Sequence, residues 1–156
     1  MIILTRYGQY IPMKRGFMYL TAIIDLYSRY DVAWNISNTL EAECSLNVLK
    51  MAISLYGKPE IVNSDQGSQF TSELWTSYLE SNGIKISMEG KGRALDNIFI
   101  ERLWRSVKYD YVYLNPANDG NELYHGLKEY FDYYNHHQAH QGIDRRIPRD
   151  LFKPAA

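Results

Sequence analysis

The stretch of sequence that decides the fold is EIVNSDQGSQF, residues 60–70. Its branched residues Ile61 and Val62 predict a short buried strand, which ends on the carboxylate of Asp65. In open α/β sheets, ligands bind in the crevice outside the carboxyl ends of the strands, so Asp65 is a candidate binding or catalytic residue. The motif is weak by itself, because a structural Asx turn explains an Asp-Gln-Gly sequence equally well.

The segments around this strand predict the other elements of the fold. Strands are predicted over about residues 5–11, 17–25 and 30–36, where aromatic and branched residues dominate, and short turns join them as an antiparallel meander. Helices are predicted over 40–56 with Asn38 as N-cap, 72–82, 97–112 with Asp96 as N-cap, and 122–137, with a further strand over 84–88. This order predicts an α/β fold in which a mixed sheet, with three meander strands and additional parallel strands, is flanked by helices.

Composition and charge narrow the possible classes of protein. At 156 residues the chain suits one domain with a real core, and 46% apolar with 22% charged residues is ordinary for a globular protein. The net charge of −1 gives no overall positive field, so any nucleic-acid surface must be a local patch. The lone Cys44 excludes an internal disulfide and a cysteine-based zinc cluster. With neither a run of roughly 18 apolar residues nor a leader-like start, we expect a cytoplasmic protein without membrane contact.

A second candidate site lies on the third predicted helix. Four polar residues recur there at steps of four, four and three and therefore share one face: Asn97, Glu101, Arg105 and Lys108. The segment 85–108 contains six lysines or arginines against three acids. A carboxylate inside a basic patch suits a phosphate-handling site, where the acid binds a divalent metal and the cations bind the phosphodiester. A solvated helix face with Glu–Arg pairs is the alternative interpretation.

Four segments together make the sequence resemble a known family. They are DLYSRYDVAW (25–34), NSDQGSQF (63–70), SMEGKGRALDNIFIERLWRSVKYD (87–110) and YYNHHQAHQGI (133–143). The sequence resembles the catalytic, integrase-core domain of DDE transposases from IS-three-type bacterial insertion sequences, which are related to retroviral integrases. The resemblance covers essentially the whole chain, from about Tyr10 to Phe152, and implies a ribonuclease-H-like fold. It also implies metal-dependent phosphodiester cleavage and strand transfer during DNA transposition and integration.

The resemblance further implies which residues form the site. In the family, two aspartates and a glutamate bind Mg²⁺ or Mn²⁺ in a two-metal site, and thirty-five residues separate the second aspartate from the glutamate, as they separate Asp65 from Glu101. Asp65 and Glu101 are therefore implied as catalytic metal ligands, and Lys108 as a contact to DNA near the reacting phosphate. The other implied DNA-binding residues are Lys91, Arg93, Asn97 and Arg105. Two such metals activate a water or a 3′-hydroxyl without a covalent enzyme intermediate.

The first aspartate of the family pattern is missing from this sequence. Counted back from Tyr10, its position holds Tyr7, and a neutral phenol is a poor Mg²⁺ ligand near pH 7. The pattern matches after Tyr10 and not before it, which indicates a truncation, a small deletion or a frame slip. We therefore expect an incomplete metal site and impaired strand transfer, and whether the chain is an active enzyme stays open. Asp25 on the neighbouring strand could replace the missing ligand, but a polar strand end explains it better.

The expected domain organisation is a ribonuclease-H-like core over residues 1–143 followed by an irregular, basic tail over 144–156. By resemblance, the partners are transposon ends and target DNA, together with a second copy of the chain or a longer transposase product that carries an N-terminal helix-turn-helix. The main alternative is a non-catalytic nucleic-acid-binding or subunit-interaction module on the same fold. Zinc binding by His136, His137 and His140, and DNA-backbone contacts from the tail arginines, are weaker alternatives.

Overall fold

The fold is one mixed sheet with helices on both faces. The computed structural model describes residues 1–6, 8–65, 68–88 and 94–155, and at residues 68, 88 and 94–97 it describes the backbone alone. The described residues form six strands: β1 Ile2–Thr5, β2 Gln9–Pro12, β3 Phe17–Asp25, β4 Asp31–Ser37, β5 Ile61–Ser64 and β6 Lys85–Met88. β3 pairs antiparallel with β1, β2 and β4, whereas β5 pairs in parallel with β1 and β6. The predicted combination of an antiparallel meander with parallel strands is therefore confirmed.

Helices cover both faces of this sheet. The described part of the chain forms α1 Ala42–Tyr56, α2 Ser68–Thr71, α3 Glu73–Ser81, α4 Ala94–Ser106, α5 Gly120–His136 and α6 Pro148–Leu151. A π-helical segment, Val107–Val112, continues α4, and a 3₁₀ turn, Gln141–Ile143, follows α5. None of the described helices is both long and apolar enough to cross a membrane.

The first predicted strand, over about residues 5–11, is divided in the structure. β1 pairs with β3 through Thr5 opposite Ile23, and β2 resumes the pairing through Gln9 opposite Leu20. Three residues separate Thr5 from Gln9 in the sequence, whereas two separate their partners Ile23 and Leu20 on β3. Because side chains alternate with a period of two, the extra residue changes which positions before and after it share a face of the sheet.

Separate apolar clusters lie on the two faces of the sheet. Leu4 of β1 belongs to the cluster under α4 and α5, together with Leu103 and Val107. Its neighbour Ile3 belongs to the opposite cluster, which includes Trp75 of α3 and residues of α1. Burial of each large apolar side chain contributes about 1.5–3 kcal/mol. The alternation within β1 therefore fixes α4 on the face of the sheet that carries Leu4.

The two predicted helix N-caps, Asn38 and Asp96, are wrong. α1 begins at Ala42 rather than directly after Asn38, because the hydroxyl of Ser37 accepts the backbone N–H of Thr39 and keeps the intervening residues in a turn. α4 begins two residues before the predicted cap, Asp96, which therefore lies inside the first turn. An acidic residue is favourable in a first helical turn as well as at an N-cap, so residue type alone does not separate the two positions.

The C-terminal tail, predicted as irregular, contains a short helix and packs on the core. α6 spans Pro148–Leu151, and the ring of Phe152 stacks on Tyr30 with the ring centroids 4.3 Å apart. The backbone N–H of Ala155 donates to the carbonyl of Tyr56 at the end of α1 over 2.9 Å. Apolar and backbone contacts therefore hold the tail against Tyr30 and the C-terminal end of α1.

Candidate active site and nucleic-acid interface

Asp65 follows β5 directly and lies at the carboxyl end of this strand. Val62 of β5 belongs to the cluster with α1 and α3, so the alternation of side chains directs Asn63 and then Asp65 toward the opposite face, where α4 lies. The side chain of Asn63 donates from Nδ2 to Oγ of Ser87 on β6 over 3.2 Å. The half-buried Asp65 thus stands at the strand-end crevice in which α/β sheets bind ligands.

Arg6 occupies the corresponding place at the end of β1. β1 and β5 pair in parallel with Leu4 opposite Asn63, and this register, continued by two residues, sets Arg6 beside Asp65. Arg6 is only 4% exposed. Its Nη1 donates to the carbonyl of Thr5 at 2.8 Å and to the carbonyl of Asn63 at 3.2 Å. A guanidinium stays charged at any ordinary pH, so a fixed positive charge lies where β1 and β5 end.

Glu101 lies on the exposed side of α4. An apolar stripe anchors this helix on the sheet, and Glu101 opens on a cleft of about 540 Å³. The cleft also contains Gln9 of β2 and the cations Arg105 and Lys108. The structure therefore brings Glu101 together with Arg105 and Lys108, as their helical spacing predicts. The two cations of this cleft can bind a phosphate group beside the carboxylate.

Asp65 and Glu101 belong to the same side of the sheet. α4 packs on the face that carries Leu4, and the alternation of β5 directs Asp65 toward that face. The remaining predicted site residues lie outside the described part of the chain: Tyr7, Lys91, Arg93 and the side chain of Asn97. What the structure supports is thus one shared side for the two carboxylates, with Arg105 and Lys108 beside the second.

Asp25 has a structural role that argues against it as a replacement for the missing metal ligand. Its Oδ2 accepts the backbone N–H of Ser28 at 2.9 Å and the hydroxyl of Ser28 at 2.6 Å. Asp25 is buried, and these bonds close the tight turn between β3 and β4. The interpretation of Asp25 as a polar strand end is therefore the better one, as the sequence suggested.

The histidines after α5 give no support to a zinc site. His140 Nε2 lies 3.2 Å from the carbonyl of Tyr134, and burial lowers the pKa of this histidine. His136 Nδ1 lies 3.2 Å from Oδ1 of Asp132, its neighbour one helical turn away. Across the described ranges, no group of three or more His, Cys, Asp or Glu side chains could hold a metal ion.

The donors at the strand ends do not fit the two-metal site expected from the resemblance. Mg²⁺ and Mn²⁺ prefer oxygen ligands, and β5 and α4 supply the carboxylates of Asp65 and Glu101. At the end of β1 stands the buried guanidinium of Arg6, one residue before Tyr7, the position at which the resemblance implies a third carboxylate. A guanidinium has no lone pair for a metal and repels any cation nearby.

Sequence reasoning missed three cations that the structure shows at or near the site, namely Arg6, Arg29 and Arg102. Arg6 was missed because counting back from Tyr10 assigns the expected ligand position to its neighbour Tyr7. Arg29 and Arg102 both line a cavity beside α4. Arg102 directly follows Glu101, and that adjacency in a basic segment was the one signal that could have indicated it.

The sheet order β4–β3–β1–β5–β6, with helices on both faces, is that of a ribonuclease-H-like fold. Two models of the integrase core domain match the chain, one over residues 7–94 and the other over residues 82–148. The chain belongs to the integrase core domain family. The resemblance to insertion-sequence transposases and retroviral integrases is thereby confirmed, and the similarities below agree with it.

The curated relatives are transposases of bacterial insertion sequences. The transposase for insertion sequence element IS904 of Lactococcus lactis subsp. lactis (strain IL1403) is 32% identical over 147 residues, which are 92% of this chain and 58% of that protein. The putative transposase InsK for insertion sequence element IS150 of Escherichia coli (strain K12) is 31% identical over 120 residues, 76% of this chain and 42% of that protein. The chain thus spans about half the length of these relatives.

A solved structure shares the fold over nearly the whole chain. The HTLV-2 integrase catalytic core domain, solved in complex with magnesium in a dimeric form, superposes with a TM-score of 0.75 at 18% identity. The match covers 96% of this chain and 94% of that domain. The predicted ribonuclease-H-like mixed sheet flanked by helices is therefore confirmed.

Proposed function

We propose that this chain is the DNA-processing core of a transposase, the domain that acts on phosphodiester bonds when DNA strands are cut and joined. What supports this best is the alternation of β5, which directs Asp65 toward the face of the sheet on which α4 carries Glu101, with Arg105 and Lys108 in the cleft beside Glu101. The transposases it resembles are longer, so the proposal concerns a core and not a whole enzyme. Its place of action would be the bacterial cytoplasm, on the nucleoid when DNA is bound.

Each proposed residue has a role that follows from its charge. Asp65 and Glu101 are the two carboxylates of the family pattern that this chain retains. Arg105 and Lys108 offer charged donors to the oxygens of a phosphodiester, and such bonds are stronger than those between neutral groups. Lys91, Arg93 and Asn97 are proposed to add further DNA contacts.

We also propose that strand transfer by this chain is severely impaired. The sequence pattern sets Tyr7 at the position of the first carboxylate, whereas the strand register sets Arg6 beside Asp65. Neither side chain supplies the carboxylate oxygen that a hard divalent ion prefers, and the Arg6 guanidinium opposes such an ion. The buried hydrogen bonds of Arg6 to Thr5 and Asn63 support a fixed position for this charge.

The test is Mn²⁺-dependent nicking and strand transfer on a duplex that carries the terminal repeats flanking the chain's own gene. Wild type, Arg6→Asp and Tyr7→Asp are compared under the same conditions. We expect little turnover by wild type and a gain of about 100-fold or more for Arg6→Asp, because a direct ligand matters at least as much as the outer groups around a metal. Tyr7→Asp is expected to gain less.

The control for this test combines Arg6→Asp with Glu101→Gln, which keeps the shape of the side chain and removes its charge. The combined variant is expected to lose the gain, since the reaction needs both carboxylates. Robust nicking by the wild-type chain would refute the impairment. Equal nicking with and without Glu101→Gln would refute the proposed site as a whole.

A non-catalytic DNA-binding role on the same fold is the second candidate function. The observation that favours it is the buried guanidinium of Arg6 at the strand ends. In either case the proposed partners are transposon ends and target DNA, bound by a homo-oligomer or through a longer transposase product with an N-terminal helix-turn-helix. Retained DNA binding without nicking by any Arg6 or Tyr7 variant would favour this second function.

A further inference from the structure

A cavity on the C-terminal side of α4 brings three arginines together. Arg29, from the turn between β3 and β4, lines this cavity of about 470 Å³ with Arg102 and Arg105 of α4. None of its described lining residues is an aspartate or a glutamate. Its one histidine, His140, is a poor cation because burial lowers its pKa. Like charges on a concave surface repel one another, so an anion that enters the cavity gains from all three guanidiniums.

Arg29 has an unfavourable backbone conformation and packs on an aromatic ring. Its φ of +64° lies in the left-handed region, which costs free energy in a residue with a Cβ. Its Cζ lies 3.5 Å from the centroid of the Phe99 ring, which is a close cation–π contact. Burial in the first place, and the charge of Arg102 in addition, lower the pKa of Arg29. Strain of this kind persists where the surrounding contacts fix a residue, and it is common at binding sites.

Two other clefts continue the cavity at its ends. Toward β2 it shares Arg102 and Arg105 with the cleft that contains Glu101. Toward the tail it shares Arg29 with a cleft of about 820 Å³. The three spaces together form what we call the arginine groove, lined by Arg105, Arg102, Arg29, Arg146 and Lys153. The groove therefore begins at the proposed catalytic carboxylate and reaches the C-terminal tail.

In the described lining of the three clefts, six cations face three acids, so the acidic residues along the arginine groove compensate only part of its positive charge. The carboxylate of Asp25 is buried and already accepts two hydrogen bonds from Ser28. The other two acids of the described lining are Glu101 at one end and Asp144 near the tail. The groove thus carries an excess of positive charge although the whole chain has a net charge of −1.

We propose that the arginine groove binds the phosphodiester backbone of the DNA strand that leads away from the Glu101 cleft. This inference rests on the proposed function and extends it by assigning a path to the nucleic acid. Guanidinium groups bind phosphate oxygens in a bidentate manner, and a row of them suits a polymer with evenly spaced charges better than a single small anion. Arg29, Arg102 and Lys153 are new to the predicted DNA contacts, and Arg146 is one of the tail arginines that the sequence offered as a weaker alternative.

The test measures binding of a fluorescently labelled duplex by anisotropy over a series of NaCl concentrations. The full chain with Arg29→Gln, Arg102→Gln and Arg146→Gln is compared with a control in which exposed cations elsewhere are changed: Arg15→Gln, Lys50→Gln and Lys128→Gln. Both triple variants remove the same charge. We expect the groove variant to bind at least about tenfold more weakly and to lower the salt slope by about two to three, whereas the control stays near wild type. Equal losses in both variants would overturn the proposal.

A second variant leaves every arginine in place. A Cβ on Gly142 would stand 3.5 Å from Nη1 of Arg102, an ordinary contact, so Gly142→Glu adds a carboxylate to the groove with little steric cost. We expect this variant to bind DNA more weakly and Gly142→Gln to bind almost as wild type does. Equal binding by the two variants would overturn the proposal, as would competition by poly-glutamate as strong as that by unlabelled DNA at equal charge.

The outcomes separate this inference from the proposed function. If the groove variants bind DNA normally while Arg6→Asp gains nicking, the groove assignment fails and the proposed function stands. If the wild-type chain shows no affinity for DNA at low salt, the proposed function fails as well.

Discussion

The carboxyl group of Asp31, at the start of β4, is buried without full hydrogen bonding. Asp31 is 4% exposed, and its Oδ1 has no hydrogen-bond partner in the described parts of the chain. Its backbone is satisfied, because its N–H donates to Oδ1 of Asn135 at 2.7 Å and its carbonyl accepts Nδ2 of Asn135 at 2.9 Å. Burial raises the pKa of Asp31 well above its ordinary value of 3.8. We therefore predict that Asp31→Asn stabilises the protein at neutral pH.

The size and pH range of this effect follow from the direction of the pKa shift. The folded state holds the proton of Asp31 more tightly than the unfolded chain does, so its contribution to stability is complete below pH 3.8. That contribution is lost as the pH rises through the raised pKa. Each unit by which the pKa is raised is worth about 1.4 kcal/mol of the free energy of unfolding. In a chain of this length, each kcal/mol corresponds to about 2–4 °C in Tm.

The assay is thermal unfolding of wild type and Asp31→Asn, followed by circular dichroism at pH 5.0 and pH 7.5. All other titrating groups are common to the two proteins, so the difference in Tm isolates residue 31. We expect Asp31→Asn to gain on wild type as the pH rises, by at least about 2–4 °C between the two conditions. The reasoning is refuted if the difference is the same at both pH values, or if Asp31→Asn is the less stable protein at pH 7.5.

Three further substitutions, each followed by urea unfolding, test a buried hydrogen-bond pair, a close backbone contact and the packing of the core. Asn135→Ala should lower the free energy of unfolding by about 2–4 kcal/mol, because it removes the hydrogen bonds of its side chain to the N–H and carbonyl of Asp31. A loss below about 1 kcal/mol would contradict these bonds. Gly57→Ala should lower the free energy of unfolding by about 1–2 kcal/mol, since φ is +89° there and the added Cβ would stand 2.8 Å from the carbonyl oxygen of Ala155. A neutral result would mean that this end of the chain moves aside. Trp75→Ala should lower the free energy of unfolding by about 3–5 kcal/mol, whereas Leu74→Ala, at the half-exposed neighbouring residue, should lower it by less than about 1 kcal/mol. Similar losses would contradict the assignment of Trp75 to the core.

The parts of the fold that could be predicted are those in which one residue pattern continues over many residues, either a run of aromatic and branched residues or the helical spacing of apolar residues. β3 and β4, predicted over 17–25 and 30–36, are found at Phe17–Asp25 and Asp31–Ser37. The helix predicted over 122–137 is found at Gly120–His136. The π-helical continuation of α4 was predicted only as ordinary helix, because one wider turn hardly disturbs the helical spacing of apolar residues.

The candidate site could be predicted only where a residue type reveals its chemistry. Asp65 and Glu101 were indicated by their places at a strand end and on a basic helix face and by the family spacing of thirty-five residues. The alternation of β5 directs Asp65 toward the face of the sheet on which α4 lies. Arg6 could not be found in this way. The extra residue between Thr5 and Gln9 shows only in the pairing with β3, and a sequence carries no direct trace of its strand register.

The central claim is that Asp65 and Glu101 form one cation site which the charge of Arg6 disables. The most direct measurement is Mn²⁺ binding by calorimetry to wild type, Arg6→Asp, and Arg6→Asp combined with Asp65→Asn or with Glu101→Gln. The account predicts affinity for Mn²⁺ at least about tenfold higher in Arg6→Asp than in wild type, and loss of that gain in both combined variants. Binding by wild type as tight as by Arg6→Asp, or a gain that survives either combined variant, would contradict it.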